Sequence, residues 1–295
     1  MTEPVATRVA VYLDFDNIVI SRYDQIHGRN SFQRDKAKGL EQHSDRLGRA
    51  TVDVGAILDF ASSFGTLVLT RAYADWSADI NAGYRGQLVG RAVDLVQLFP
   101  AAAYGKNGAD IRLAVDAVED MFRLPDLTHV VIVAGDSDYI PLAQRCKRLG
   151  RYVVGIGVAG ASSRALAAAC DEFVIYDALP GVPVPTDAEA AKPKKGTGRA
   201  TPAKAGQPDE PEEQPDPQAA ATALLTRALR IGLEKDDVEW LHNSAVKAQM
   251  KRMDPSFSER SLGFRSFSDF LRSRSDVVEL DETSTTRMVR LRAHD

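Results

Sequence analysis

Residues 130–145 read VVIVAGDSDYIPLAQR. Four β-branched residues and an alanine lead into Gly135, and two aspartates, Asp136 and Asp138, follow with one serine between them. A run that is apolar on both faces and is followed by a helical pattern is typical of a strand in a covered parallel sheet. Carboxylates at this point lie where open parallel sheets form their sites, beyond the carboxyl ends of the strands.

The same alternation of strand and helix patterns continues on both sides of this stretch. Strand patterns occupy residues 8–14, 66–74, 92–99, 129–135, 151–158 and 172–177, and helix patterns occupy 54–64, 80–91, 110–122, 139–150 and 163–170. Apolar strands that alternate with helices predict an α/β domain in which a doubly wound parallel sheet is covered on both faces.

Further carboxylates are predicted to lie at the same edge of the sheet. Asp14 ends the first strand, and Asp110 begins the helix that leads back into the fourth strand. A single aspartate such as Asp138 is equally well explained as the N-cap of the next helix. Several converging acids, with no lysine or arginine among them, raise one another's pKa unless a cation neutralises them. All-oxygen ligands favour Mg²⁺ or Mn²⁺, and such a site suits phosphodiester hydrolysis.

These stretches resemble the successive motifs of the NYN domain (LabA-like type), a PIN-like nuclease family. The resemblance covers residues 8–177 and rests on VYLDFDNI (11–18), GADIRLAVDAV (108–118), VIVAGDSDYIPLAQRCKRLGRYVVGIG (131–157) and SRALAAACDEFVIYD (163–177). It implies a PIN-like fold and a metal-dependent ribonuclease, more readily an endonuclease than an exonuclease. The catalytic and metal-binding acids then fall on Asp14, Asp110, Asp136 and Asp138, with Asn17 as the supporting amide.

Three further residues, Asp16, Ser137 and Asp116, are weaker candidates for this site. Asp116 matches a recurrent position of the family, but Arg112 precedes it by four residues on one helical face. A surface ion pair is therefore the competing interpretation. The long polar and basic segment 21–50 is predicted to be a loop that contacts phosphates beside the site, or a disordered insertion.

Two alternatives to the nuclease come from other classes of protein. LDFDN (13–17) and GDSDY (135–139) superficially resemble the motifs of haloacid-dehalogenase phosphatases. That family expects a small hydroxyl residue where Asn17 stands, and a wider spacing than that of Asp136 and Asp138, so the match is weak. The second alternative is a non-catalytic RNA-binding adaptor with a vestigial site. All four motif acids are present, which favours the enzyme.

A stretch rich in Pro, Gly, Ala and charge divides the chain. Residues 180–218 hold no large apolar residue beyond valines, which predicts a flexible linker between a first domain, 1–179, and a second, 219–295. The second domain shows helical patterns at 220–233, 238–253 and 264–273 and strand patterns at 277–280 and 287–291. Three helices and a terminal hairpin predict a small winged helix-turn-helix domain.

Residues 241–280 of this second domain resemble the LOTUS (OST-HTH) domain, which accompanies NYN domains and is associated with RNA. The resemblance implies RNA, single-stranded or structured, as the partner. The candidate RNA-binding cations are Lys247, Lys251, Arg252, Arg260 and Arg265. The phenylalanines at 257, 264, 267 and 270 are expected in the core, because they mostly recur at helical spacing. Acids nearby leave the domain almost neutral, so a protein-binding role stays open.

The composition of the chain limits the class of protein and its location in the cell. The 295-residue chain has a net charge of −4 and two cysteines, too few for a disulfide framework or a zinc cage. It shows no signal-peptide pattern and no apolar run long enough to cross a membrane. We therefore expect a cytoplasmic protein without a membrane partner, and we leave open that it forms a homodimer.

Overall fold

The computed structural model describes residues 6–39, 43–99, 108–183, 216–236, 238–281 and 287–292. In the first domain the described strands form one six-stranded sheet, ordered β3-β2-β1-β4-β5-β6, in which every neighbouring pair is parallel. The strands are β1 Arg8–Asp14, β2 Thr66–Ala74, β3 Asp94–Gln97, β4 His129–Val133, β5 Tyr152–Gly157 and β6 Glu172–Ile175. The predicted parallel sheet is confirmed.

Helices cover both faces of this sheet. They are α1 Phe15–His27, α2 Ser31–Lys36, α3 Ser44–Arg49, α4 Val54–Ser62, α5 Asp79–Ala82, α6 Arg85–Val89, α7 Gly108–Arg123, α8 Ile140–Arg148 and α9 Arg164–Ala169. Val131 and Val133 pack with α1 and α4 on one face, whereas Val130 and Ile132 pack with α7 and α8 on the other. Because successive strand residues point to opposite faces, β4 must be apolar throughout, which is the pattern that its sequence shows.

The segment 21–50, predicted to be a loop or a disordered insertion, is instead largely helical. Tyr23, Ile26 and Phe32 form a small core of their own together with Ala50. Asp35 is buried beneath it, where its carboxylate accepts a hydrogen bond from the Tyr23 hydroxyl at 2.8 Å and pairs with Arg46 at 2.7 Å. The prediction was wrong because these few apolar residues, and polar residues that pair with one another, are enough to fold the segment.

The described residues of the second domain form three helices and a three-stranded antiparallel sheet, ordered β7-β9-β8. Its elements are α10 Pro217–Asp236, β7 Leu241–His242, α11 Asn243–Met253, α12 Phe267–Arg272, β8 Val278–Asp281 and β9 Met288–Leu291. The predicted three helices and terminal hairpin are present, although the turn at 282–286 and most of the predicted linker, 184–215, lie outside the described residues.

The prediction that the second helix of this domain begins at residue 238 is wrong. Leu241 pairs with Val289 of β9 and its side chain enters the core, so α11 begins only at Asn243. Tertiary pairing outweighs the local helical pattern here. The expectation for the phenylalanines is confirmed, since Phe257, Phe267 and Phe270 are buried and Phe264 packs against them.

The two domains touch along β6, the edge strand of the large sheet. The backbone N–H of Phe173 donates to the carbonyl of Pro255 at 3.1 Å, and Lys251 pairs with Glu172 at 2.6 Å. The second domain therefore covers part of an otherwise exposed sheet edge. Within the described ranges, every helix is too short or too polar to cross a bilayer.

Candidate functional site

The site begins where the order of the sheet reverses. From β1 the chain passes into α1 on one face, and from the adjacent β4 it passes into α8 on the other face. This divergence opens a crevice beyond the ends of the two strands. Asp14, the last residue of β1, and Asp136, shortly after β4, flank the crevice, as the sequence predicts.

Asp14 is buried at the base of this crevice, with 3% of its surface exposed. It is the N-cap of α1, and its Oδ1 accepts a hydrogen bond from the backbone N–H of Asn17 at 3.2 Å. Its Oδ2 accepts one from the hydroxyl of Tyr139 at 2.9 Å. Capping explains one oxygen of this carboxylate, but the second is directed at another part of the site.

Asp110 approaches the same hydroxyl from α7. It lies in the first turn of that helix, and its Oδ1 is 2.9 Å from the Tyr139 hydroxyl oxygen. A phenol has one proton to donate, yet two carboxylates lie within hydrogen-bonding distance of it. One of the two acids therefore needs a further proton or a cation to complete the arrangement.

The charge effects on both carboxylates that come from the described residues show the same deficit of positive charge. Burial raises the pKa of Asp14 to about 7, and the charges of Asp110 and Asp16 add to this rise, against the hydrogen bonds from Tyr139 and Asn17. Burial also raises the pKa of Asp110, and the charges of Asp136 and Asp138 act in the same direction. Below neutral pH the centre therefore holds an extra proton, at the place where a divalent cation would take the proton's role.

Tyr139 is the site residue that the sequence reasoning missed. Its ring is buried, with 1% exposed, and both of its acceptors are carboxylates. Burial and the charges of Asp14 and Asp110 raise the pKa of this phenol far above its usual range, so it stays a hydrogen-bond donor. The available signal was its position directly after Asp136 and Asp138 in the GDSDY motif.

Asp136 and Asp138 lie at the exposed rim of the crevice, in the turn between β4 and α8. Oδ1 of Asp136 accepts hydrogen bonds from the backbone N–H of Asp138 at 3.1 Å and from the hydroxyl of Ser137 at 3.3 Å. Asp136 thus caps the short helical turn, while both carboxylates stay close enough to Asp110 to raise its pKa. The structure brings all four predicted acids to one crevice.

Asn17 and Asp16 hold the surrounding loops. The side-chain oxygen of Asn17 accepts a hydrogen bond from the backbone N–H of Gly135 at 3.2 Å, which ties the exits of β1 and β4 together. The carboxylate of Asp16 accepts from the backbone N–H of Asp75 at 3.2 Å and from the amide of Asn81 at 2.6 Å. Asp16 is directed at the exit of β2, away from the acids that share Tyr139.

Asp116 lies outside this arrangement of acids. Its carboxylate pairs with Nε of Arg112 at 2.9 Å and accepts a hydrogen bond from the Tyr73 hydroxyl at 3.1 Å. The geometry favours the surface ion pair over a role as a metal ligand.

These carboxylates are suited to a divalent ion that keeps several water ligands, and less suited to one that is enclosed entirely by protein ligands. In the described part of the chain, no three His, Cys, Asp or Glu side chains converge as a ready-made metal centre. Mg²⁺ commonly takes one or two protein carboxylates and keeps several waters. Asp14 and Asp110 offer two carboxylates around one hydroxyl, and the largest charge effects on both come from other acids. These residues fit Mg²⁺ or Mn²⁺.

Tyr139→Phe tests the shared hydroxyl. The ring keeps its packing, but two carboxylates lose their donor, so we expect the metal-free protein to lose roughly 1–3 kcal/mol of unfolding free energy. Mn²⁺ should shrink this loss, because a bound cation compensates the same carboxylates. The measurement is urea unfolding with and without Mn²⁺.

Tyr12→Phe is the matched control, because the Tyr12 hydroxyl is also buried and donates to a carboxylate, that of Asp120, at 3.0 Å. Its destabilisation should not change with Mn²⁺. An equal response of the two variants to Mn²⁺ would count against a metal centre at Tyr139.

The candidate RNA-binding cations of the second domain separate into two groups. Lys247 pairs with Glu259 at 2.6 Å, and Lys251 pairs with Glu172 of the first domain at 2.6 Å. Arg252 is exposed and bonds Gln249 at 2.9 Å, and Arg260 and Arg265 are exposed without a side-chain partner among the described residues. The three arginines form no ion pair among the described residues, so they are more available to contact phosphates than the two lysines.

Two family models match separate parts of the chain. The NYN domain model matches residues 8–177, and the OST-HTH/LOTUS domain model matches residues 213–290. The uncharacterized protein MJ0482 of Methanocaldococcus jannaschii is 26% identical over 122 residues, 39% of this chain and 44% of that protein, so the match spans less than half of this relative.

Among solved structures, a protein of unknown function from Vibrio parahaemolyticus, VPA0982, is similar at a TM-score of 0.44 and 20% identity. The similarity covers 59% of this chain and 96% of that one. The NYN match covers more than half of the present sequence. The chain therefore belongs to the NYN domain family, within the PIN-like nuclease superfamily, and carries an OST-HTH/LOTUS domain after its NYN domain.

Proposed function

We propose that this protein is a Mg²⁺- or Mn²⁺-dependent ribonuclease that hydrolyses RNA phosphodiester bonds, as an endonuclease, at the crevice between β1 and β4. One observation carries the proposal. The buried carboxylate of Asp14 and that of Asp110 each lie 2.9 Å from one Tyr139 hydroxyl, and no lysine or arginine among the described residues pairs with either carboxylate. The family to which the chain belongs supports the choice of nuclease chemistry.

Each residue has a role that follows from its place in the crevice. Asp14 and Asp110 would hold the ion, and Tyr139 keeps both carboxylates oriented towards one point. Asp136 and Asp138, at the exposed rim, would add negative charge beside a bound ion and would face the incoming RNA. Asn17 keeps the backbone of Gly135 beside them. A bound Mg²⁺ or Mn²⁺ supplies a water of lowered pKa and stabilises the charge that develops on the phosphate.

RNA capture is assigned to the second domain. Arg252, Arg260 and Arg265 are exposed cations, whereas the ammonium groups of Lys247 and Lys251 are already paired with carboxylates. Contacts to phosphates also give little sequence selectivity. The domain therefore raises the local concentration of RNA near the NYN crevice without dictating where the chain is cut.

The test of the proposed activity is incubation of the purified protein with labelled RNA in Mg²⁺, Mn²⁺ or EDTA. We expect cleavage with either ion and none in EDTA, and a circular RNA should be cut, because an endonuclease needs no free end. Retained RNA binding without metal-dependent cleavage, across linear, circular and structured RNAs, would favour the adaptor instead. Cleavage of linear RNA alone would make the enzyme an exonuclease.

Salt dependence tests which cations contact phosphates. Each contact to single-stranded RNA contributes about 0.7 to the slope of log affinity against log salt, so Arg260→Gln combined with Arg265→Gln should lower the slope by about 1.4. The measurement is RNA binding across a salt series. Arg227→Gln with Arg230→Gln, on exposed positions of α10, removes the same charge and should keep the wild-type slope. Equal slopes for both double variants would show that the two arginines do not contact RNA.

A further inference from the structure

Helix α7 is apolar on two opposite faces. Its inner face packs into the domain core through the fully buried Leu113 and Ala117. Its outer face carries Ile111, Val115 and Phe122, which are 64%, 56% and 70% exposed. A surface helix of a globular domain normally presents charged and polar residues on its outer side. The outer apolar face of α7 therefore needs a partner, and nothing in the described part of the chain covers it.

The spacing of these residues is that of a helix–helix seam. Ile111, Val115, Val118 and Phe122 follow one another by four, three and four residues, and Val118 is partly buried in the same row. These are the a and d positions of two successive heptads, the pattern with which helices pair side by side. We refer to these four residues as the α7 stripe. Its natural occupant is a second helix with the same pattern.

The charges beside the α7 stripe favour the α7 of a second copy as this partner helix. Arg112 and Glu119 occupy equivalent positions along one side of the stripe. Each pairs within its own helix, with Asp116 and Arg123 respectively, and their side chains are still 59% and 50% exposed, so both can also reach a neighbouring helix. In an antiparallel pair with Ile111 opposite Phe122, Arg112 of one copy lies within reach of Glu119 of the other, and the reverse pair forms by symmetry. A parallel pair would set Glu119 beside the uncharged Ala114.

We propose that the protein forms a homodimer through antiparallel pairing of α7 across the α7 stripe. Because Asp110 lies at the start of α7, the two acidic crevices are then at opposite ends of the paired helices. The rise of an α-helix places them about 20 Å apart along the helix axis. The dimer does not depend on the proposed nuclease activity, and its tests do not use cleavage.

The first test is the mass of the full chain in solution, by sedimentation or light scattering over a concentration series. The wild type should move towards twice 32.1 kDa as concentration rises. Val115→Glu and Phe122→Glu should stay at the monomer mass with an unchanged circular dichroism spectrum, since both residues are exposed. Val89→Glu is the matched control, because Val89 is an apolar residue of α6 with 62% exposure. A monomeric wild type at the highest concentration, or dimeric Val115→Glu, overturns the proposal.

The second test determines the orientation of the pair. Chains with Ile111→Cys and chains with Phe122→Cys are mixed and treated with a mild thiol oxidant. The native Cys146 and Cys170 are buried, and burial raises the pKa of both thiols to about 12, so they give little background. Antiparallel pairing predicts a disulfide between the two different chains and none between identical ones. Disulfides between identical chains would show a parallel pair, and absence of both products would exclude this surface.

Discussion

Replacing Asp14 by asparagine is expected to abolish metal-dependent RNA cleavage and, at the same time, to make the metal-free protein harder to unfold above neutral pH. Both results follow from one buried carboxylate. The metal ion needs its charge as a ligand, and without the ion that buried charge lowers the free energy of unfolding. Asparagine can keep the local contacts. Its side-chain oxygen accepts from the Asn17 N–H, and its amide donates to the Tyr139 oxygen, whose own proton then goes to Asp110.

The stabilisation has a defined dependence on pH. The pKa of Asp14 is raised to about 7 in the folded protein, whereas an unfolded aspartate has a pKa of roughly 4. Between these values the folded state holds a proton that the unfolded state has released, so the free energy of unfolding falls as pH rises. Above pH 7 the whole penalty is present, and it amounts to up to roughly 4 kcal/mol. Asp14→Asn removes the penalty and flattens this dependence.

The measurement is chemical unfolding of the wild type and Asp14→Asn in EDTA between about pH 5 and pH 8. The stability difference should be small at the acidic end and should grow in favour of the variant as pH rises. Asp59→Asn is the control, because it removes a carboxylate that is exposed rather than buried and should not give a comparable stabilisation. Unfolding of Asp14→Asn at every pH would identify Asp14 as a structural residue.

Asp136→Asn is expected to reduce metal-dependent cleavage by at least about 100-fold, since a charge facing the ion accounts for several kcal/mol of transition-state stabilisation. Stability should change little. Asp136 is exposed, and the side-chain oxygen of asparagine can still accept from the Asp138 N–H. Single-turnover cleavage in Mn²⁺, with urea unfolding of the same samples, measures both quantities. Cleavage at the wild-type rate would remove Asp136 from the site.

The strands and the acids at their ends could be predicted from sequence, because both depend on local pattern. Parallel strands buried on two faces are continuous apolar runs, and the chain must turn where the apolar run stops. Asp14 and Asp136 stand at such points, and strand order places β1 beside β4. Their arrival at one crevice therefore follows from the fold class.

The role of Tyr139 could not be predicted from local sequence pattern. Its hydroxyl meets Asp14 and Asp110, which are 125 and 29 residues away in the chain. A tyrosine after two aspartates is equally consistent with a core residue, and its ring is in fact core. The role of the hydroxyl becomes visible only in the folded chain, where the segments that carry Asp14, Asp110 and Tyr139 come together.

The predictions for segment 21–50 and for the start of α11 were wrong because they rested on local sequence pattern. In the first, a polar composition concealed a small core around Tyr23 and Phe32, whose contribution depends on three short helices that pack together. In the second, a helical pattern gave way to pairing between Leu241 and Val289, which lie far apart in the sequence. In both cases long-range contacts decided the structure, and local pattern carries no record of them.

Binding of Mn²⁺ to the purified protein, measured by calorimetry in buffers of different ionisation enthalpy, tests the acidic centre most directly. If the ion displaces the proton held at Asp14, each Mn²⁺ should release about half a proton near pH 7 and about one proton near pH 6, and affinity should weaken by up to about tenfold per pH unit as pH falls. Asp14→Asn should lose the binding. Absence of Mn²⁺ binding to the wild type, or binding that releases no proton and persists in Asp14→Asn, would contradict the assignment of this crevice as a metal centre.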